Sequence, residues 1–202
     1  LVDIFKRGED VHTGVAVRVF GVNAEDVTKE MRRKAKVINF GILYGMGVNA
    51  LRGNLGEGTP REEAQEFLNA YFNTFTRLAE YLEETKAYAR KFGYTETLFG
   101  RRRHFPGMQS TAPFIRAAAE RMAINAPVQG TAADVMRVAM NEIYAYLKQA
   151  GKLDDVRMLL QVHDELVFEI KTEKVETELP KLKALMEGVL RNSETCGVPL
   201  TA

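Results

Sequence analysis

Cysteine occurs once in 202 residues, at Cys196, so no internal disulfide framework can form and the chain suits a reducing compartment. Histidine is nearly as scarce. His12, His104 and His163 lie far apart, and with one cysteine they offer no zinc-like ligand spacing. Excess charge is also lacking: 28 Lys and Arg against 27 Asp and Glu leave +1, so no global basic field announces a nucleic-acid partner. No apolar run approaches the length of a membrane span and the N-terminus has no secretory pattern, which makes cytoplasmic the default reading, without membrane partners. Internal repeats and low-complexity tracts are absent as well.

What is present is a hydrophobic share of 46%, enough for one substantial core or two small ones. Charge is unevenly placed. Basic residues gather from Lys29 to Lys36, at Arg101-Arg102-Arg103-His104, and at Arg116 and Arg121, while Asp154 to Glu194 is comparatively acidic. Such clusters fit phosphate binding on one side, and they equally fit solvated faces.

Helical periodicity dominates as far as Tyr94, with a short helix over 10–20 holding His12 and a second from about Ala24. Gly45, Gly47, Gly53, Gly56 and Gly58 punctuate the region that follows. Thr59-Pro60-Arg61-Glu62 predicts a helix start with Thr59 as cap and Pro60 in the first helical position. Two helices then run to about Phe92, broken near Asn73-Thr74. Residues 93–100 are β-prone, 101–112 read as a loop, and a long helix over 113–150 should be interrupted or kinked by Pro127. Residues 156–170 form two short apolar runs, expected as buried strands of a tight hairpin. A last amphipathic helix is expected over 175–192.

Two segments carry chemistry. In the first, Met31, Ala35, Ile38 and Ile42 fall at helical spacing and predict a buried stripe. Arg32, Lys36, Phe40 and Tyr44 recur every fourth residue and line a second face, cationic at one end and aromatic at the other. A nucleoside triphosphate has the matching layout of anionic oxygens and flat base. A solvated basic helix with its rings in the core explains the same spacing. In the second segment, His163-Asp164-Glu165 separates the two apolar runs of the hairpin. Adjacent carboxylates at a hairpin tip suit a hard divalent cation, although most Asp-Glu turns are only solvated turns.

Arg32-x3-Lys36-x3-Phe40-x3-Tyr44-Gly45 resembles the nucleotide-binding helix of the family A DNA polymerases, the bacterial DNA polymerase I type. His163-Asp164-Glu165 in an apolar hairpin is similar to that family's palm motif, and the stretch from Glu120 to Asp134 to a third signature between them. Together the three ordered motifs extend the resemblance over essentially the whole chain. It implies an α+β, mostly helical fold, with fingers helices over 1–110 (and a palm edge at the start) and part of a palm with a small antiparallel sheet over 111–202. It implies template-dependent addition of deoxynucleotides to a primer 3′ end in replication or repair, by a polymerase that is monomeric in complete form.

The resemblance also assigns roles. Arg32, Lys36 and His12 are expected on the triphosphate, with Lys36 also donating a proton to departing pyrophosphate. Phe40 is expected against the sugar and base, and Tyr44 at the insertion site beside the template base; Gly41 and Gly45 would permit close backbone approach there. Arg121, Asn125 and Gln129, spaced by four, are expected on the minor groove of primed DNA, where acceptors recur at every base pair. Gln161 and His163, alternating on a strand, are expected toward the primer terminus. Asp164 is the expected metal-linked carboxylate, for Mg²⁺ in a two-metal site, with Glu165 auxiliary to it. The family's other palm motif, Asp-Tyr-Ser-x-x-Glu, should precede residue 1, which leaves the site incomplete in this chain and the chain inactive alone. Two other readings stand beside this one: a non-catalytic nucleic-acid or nucleotide-binding module that kept the fold, and a metal-dependent nuclease, which leaves the helix face unexplained.

Overall fold

In the computed structural model, which describes residues 1–56 and 58–202 (Leu43 by its backbone alone), the chain forms two compact units, Leu1–Val128 and Gln129–Ala202. The fold is α+β and mostly helical, with two small antiparallel sheets.

The first unit opens with helices α1 (Val2–Lys6), α2 (Val11–Phe20) and α3 (Lys29–Leu43). Asp10 caps α2, its side chain accepting the Thr13 N–H at 2.7 Å, and Thr28 caps α3 through the Met31 N–H at 3.1 Å. The stretch from Ala24 to Asp26 is a separate 3₁₀ turn, so the signature helix begins later than its hydrophobic pattern suggests. Helices α4 (Val48–Leu55), α5 (Arg61–Thr74) and α6 (Thr76–Phe92) follow. At the head of α5 the cap is Pro60, not Thr59: ψ of 150° leaves Pro60 extended, and the helix starts one residue later. Ala35, Ile38 and Ile42 of α3 are buried against Val15 and Ala16 of α2, Leu51 and Leu55 of α4, and Leu68 and Tyr71 of α5. The stripe read from the sequence is therefore the seam of the main core.

Strands β1 (Tyr94–Glu96) and β2 (Arg102–His104) pair antiparallel, Thr95 opposite Arg103. Residues 101–112 are thus a strand followed by a 3₁₀ turn over Pro106–Gln109, not a loop; the Arg102 guanidinium bonds Glu96 at 2.6 Å and lies 4.6 Å from the Tyr94 ring centre. Helix α7 (Pro113–Gln149) runs through Pro127 without a break. A proline there removes the N–H that would bond the Ala123 carbonyl and crowds that carbonyl. The buried Thr95 hydroxyl donates to this same carbonyl at 3.5 Å, a long bond that partly replaces the missing one. Ala119, Ala123 and Ala126 of α7 pack with Ala89, Phe105 and Met108. This packing joins the first half of α7 to the first compact unit, which ends inside the helix at Val128.

In the second unit, α7 continues from Gln129, β3 (Val156–Val162) pairs antiparallel with β4 (Glu165–Ile170), and α8 spans Val175–Glu187, ending short of Asn192. Ile143, Leu147, Val156 and Leu182 form its buried centre. The strands are far less buried than their composition predicts: Leu159 and Leu160 are 53% and 61% exposed, and Val162 and Val167 are also exposed. One face of β4 is covered: Leu166, Phe168 and Ile170 pack, partly buried, against the cluster that holds the fully buried Val156. Among the described residues no helix is long and apolar enough to cross a membrane.

Candidate functional site

The polar face of α3 is open. Phe40 is 48% and Tyr44 51% exposed, and Lys36 is exposed one turn from Arg32. The neighbouring cations have structural partners. Arg33 bonds Glu30 at 2.6 Å and the Leu55 carbonyl at 2.7 Å, while Lys34 bonds Glu63 at 3.0 Å over the Phe67 ring. Those contacts tie α3 to α4 and α5. Lys36 has no carboxylate partner among the described residues, although it repels Arg32 across one helical turn. The basic stretch therefore divides into cations that hold the fold and cations left on the aromatic face.

Helix α2 completes this face. The His12 ring lies 5.6 Å from that of Phe40, and His12 Nδ1 is 3.1 Å from the Asn39 side-chain amide nitrogen. With that nitrogen as donor, Nδ1 is the acceptor and the ring proton sits on Nε2. Partial burial pushes the His12 pKa down, Asp10 opposes this, and Arg32 and Lys36 add to the lowering, so the ring is neutral at pH 7. Arg32 meets Asp10 in a two-pronged pair, Nε to Oδ1 at 3.1 Å and Nη2 to Oδ2 at 2.7 Å. The arginine holds the Asp10 carboxyl well below the usual carboxylate range, with help from the Thr13 N–H and hydroxyl. His12, Arg32, Lys36 and Phe40 are thus brought to one face. Asp10 and Asn39 belong to it too; local sequence marks Asp10 only as a helix cap, because its partner Arg32 lies 22 residues away.

Arg121 sits beside the end of this helix. Gly45 has φ of +67°, and a Cβ there would meet Arg121 Cγ at 2.7 Å and its Cα at 3.2 Å. The close approach permitted by Gly45 is therefore to α7, and that of Gly41 is to the Met46 sulfur. A cavity of about 550 Å³ lies at this junction, lined by Gly45, Met46, Leu68, Phe72, Arg121 and Ile124 among others. Because α7 is unbroken, Arg121, Asn125 and Gln129 lie on successive turns of one helix.

In the second unit, Asp164 and Glu165 lie exposed at the tip of the β3–β4 hairpin. His163 is in the turn with φ of 55°, a left-handed conformation uncommon outside glycine, and its carbonyl accepts from Gln161 Nε2 at 3.0 Å. Gln161 and His163 consequently do not alternate on one strand as expected; the turn takes His163 out of the ladder. Among the described residues no three His, Cys, Asp or Glu side chains gather to hold a metal ion. The two tip carboxylates do not by themselves make the six-oxygen shell that Mg²⁺ demands.

The profile of DNA polymerase family A matches residues 1–202. The chain belongs to that family. It is similar to DNA polymerase I of Rhizobium leguminosarum, 45% identical over 99% of this chain and 20% of that protein. It is also similar to the thermostable DNA polymerase I of Thermus aquaticus, 48% identical over 94% of this chain and 22% of that protein. Among solved structures it matches the POL domain of Pol1 from M. smegmatis in complex with DNA primer-template and dNTP, with a TM-score of 0.89 and 39% identity over 99% of this chain and 34% of that one. The chain thus spans about a fifth of the length of these curated relatives. In this family A chain, the exposed Arg32–Tyr44 face and the Asp164 hairpin stand as separate features of separate units.

Proposed function

We propose that this chain carries the nucleotide-binding helix and one palm carboxylate motif of a DNA-directed DNA polymerase that adds deoxynucleotides to a primer 3′ end in replication or repair. The observation that carries the reading is the α3 face, where His12, Arg32, Lys36 and Phe40 converge while the adjacent Arg33 and Lys34 are bound into the fold. Deoxynucleoside triphosphates and primed DNA are the partners in this reading, in the cytoplasm and in a monomeric complete polymerase. We assign residues 1–110 to the fingers and 111–202 to part of the palm, a functional division distinct from the compact units.

Attack of the primer 3′-oxygen on the α-phosphate breaks the bond to pyrophosphate, and negative charge grows on the leaving group. Arg32 and Lys36 offset that charge, Lys36 supplies a proton to it, and the neutral His12 donates from Nε2 to a phosphate oxygen. Phe40 lies against the sugar and base, and Tyr44 closes the insertion site beside the template base. Arg121, Asn125, Gln129, Gln161 and His163 contact the duplex and primer end. Asp164, with Glu165 auxiliary, is the carboxylate this chain contributes toward the Mg²⁺ ions of such enzymes; the chain alone does not enclose them.

The test is a chimera in which residues 1–202 replace the matching segment of the Thermus aquaticus polymerase, assayed by primer extension with each nucleotide. Lys36→Ala should lower kcat/KM for nucleotide by at least about a hundredfold and leave the Kd for primed DNA within about twofold. Equal losses in DNA affinity and nucleotide use would assign the helix to duplex binding instead. A chimera that binds primed DNA and extends no primer would contradict the proposal.

A further inference from the structure

We infer that Asp10 is a positioning residue for Arg32, gripping one edge of the guanidinium so that its other end is presented to the triphosphate. The inference rests on the reading of Arg32 as a triphosphate ligand. A guanidinium carries five N–H groups in a rigid fork. Asp10 takes the Nε–Nη2 edge, and the Nη1 end has no partner among the described residues. A phosphate can therefore bind end-on without displacing Asp10. The carboxylate is itself fixed, since Oδ1 also accepts the Thr13 N–H at 2.7 Å and the Thr13 hydroxyl at 2.8 Å. Arg32 thereby loses before binding much of the rotamer freedom that a long cationic side chain otherwise gives up on meeting its ligand. Both partners are close to half exposed, 47% for Arg32 and 43% for Asp10. Ion pairs so exposed add little to folding, so helix docking is a weak reason for this one. Its location answers better: His12 follows two residues on, and Lys36 one turn away on the same helix face.

The 202-residue chain is titrated with dATP, following the affinity together with the Arg32 Nε–H signal in a ¹⁵N-edited NMR spectrum. Asp10→Asn keeps an oxygen to cap α2 and removes the charge; Asp10→Ser is a second cap-preserving variant should the first not fold. The expected result is an unchanged backbone amide spectrum, an Arg32 Nε–H signal shifted to that of unpaired arginines, and a Kd for dATP raised about tenfold. Arg32→Ala should weaken binding at least as much, and adding Asp10→Asn to it should have no further effect. If Arg32→Ala weakens binding while Asp10→Asn leaves it unchanged or tightens it, the positioning role is wrong. An Asp10→Asn effect that persists in the Arg32→Ala background would also overturn it, because Asp10 would then act by another route. If Arg32→Ala changes nothing, or the wild-type chain fails to bind dATP, the fault lies instead with the reading of Arg32 and its helix, and the inference falls with it.

Discussion

Phe40 keeps about half of its ring in solvent on a helix whose opposite face is sealed into the core. An aromatic held open beside His12 gains little from folding and much from a flat ligand. In the proposed reading Phe40 lies against the sugar, and phenylalanine lacks the hydroxyl that tyrosine would offer beside the 3′ position. In the chimera, Phe40→Tyr is expected to raise incorporation of dideoxynucleotides relative to normal nucleotides by at least about tenfold, read from a competition assay on a single template position. An unchanged ratio would remove Phe40 from the sugar. At this scale the sequence exposed what repeats. Arg32, Lys36, Phe40 and Tyr44 are visible because four-residue spacing is local. The Asp10–Arg32 pair and the Asn39–His12 contact are not, since each joins residues more than 20 positions apart through the docking of two helices. His163 reads as a strand residue for a related reason: an apolar run shows alternation, but not where the left-handed turn cuts it.

Between elements, contacts rather than patterns decide. The end of α3 approaches α7 so closely at Gly45 that a methyl group would strike the Arg121 stem and backbone, and φ of +67° penalises any side chain as well. At Gly41 an added Cβ meets only the Met46 side chain, its sulfur at 2.8 Å, its methyl at 3.0 Å and its Cβ at 3.3 Å, with no backbone atom among these contacts. Gly45→Ala should therefore cost about 2 kcal/mol and Gly41→Ala less than about 1, by urea unfolding of the 202-residue chain. Similar costs would mean the approach to Arg121 is not tight. In the second unit, buried Glu178 accepts from Lys152 at 2.7 Å and from the Tyr146 hydroxyl at 2.7 Å, with Lys181 at 3.1 Å. The Lys152 bond, then that of Tyr146, pulls the Glu178 pKa down to about 2. A carboxyl bound more weakly by protons when folded stabilises fully above its ordinary value near 4.5, and that contribution drains away as pH falls toward 2. Glu178→Gln should cost about 2 kcal/mol at pH 7 and close to nothing at pH 2, measured as the gap in unfolding free energy between variant and wild type. A gap that does not change with pH would dissociate the network from acid stability. None of this network is marked in the sequence. Neither is the hydroxyl of Thr95 beneath Pro127, so the proline read as an interruption although the helix passes through it.

For the molecule as a whole, the open hairpin and the sparse carboxylates point the same way. Leu159, Leu160, Val162 and Val167 stand exposed on a sheet that has only two strands among the described residues, which leaves apolar faces and open edges. Composition marks these runs as buried strands because a β-prone apolar segment reads alike whether or not another layer covers it. At the tip, Asp164 and Glu165 repel one another and gain no third ligand among the described residues. We therefore expect the 202-residue chain alone to extend primers negligibly, whereas the chimera extends them and loses activity with Asp164→Ala. The free chain should also self-associate at tens of micromolar, by sedimentation velocity, and Leu160→Lys should shift it toward monomer because that side chain is 61% exposed and leaves the covered face of β4 untouched. Association unaffected by Leu160→Lys would mean the hairpin face is not what drives it. Efficient extension by the isolated chain, lost on Asp164→Ala and so not due to a contaminant, would mean that these residues assemble a working site by themselves and that the reading of Asp164 as half of a site is wrong.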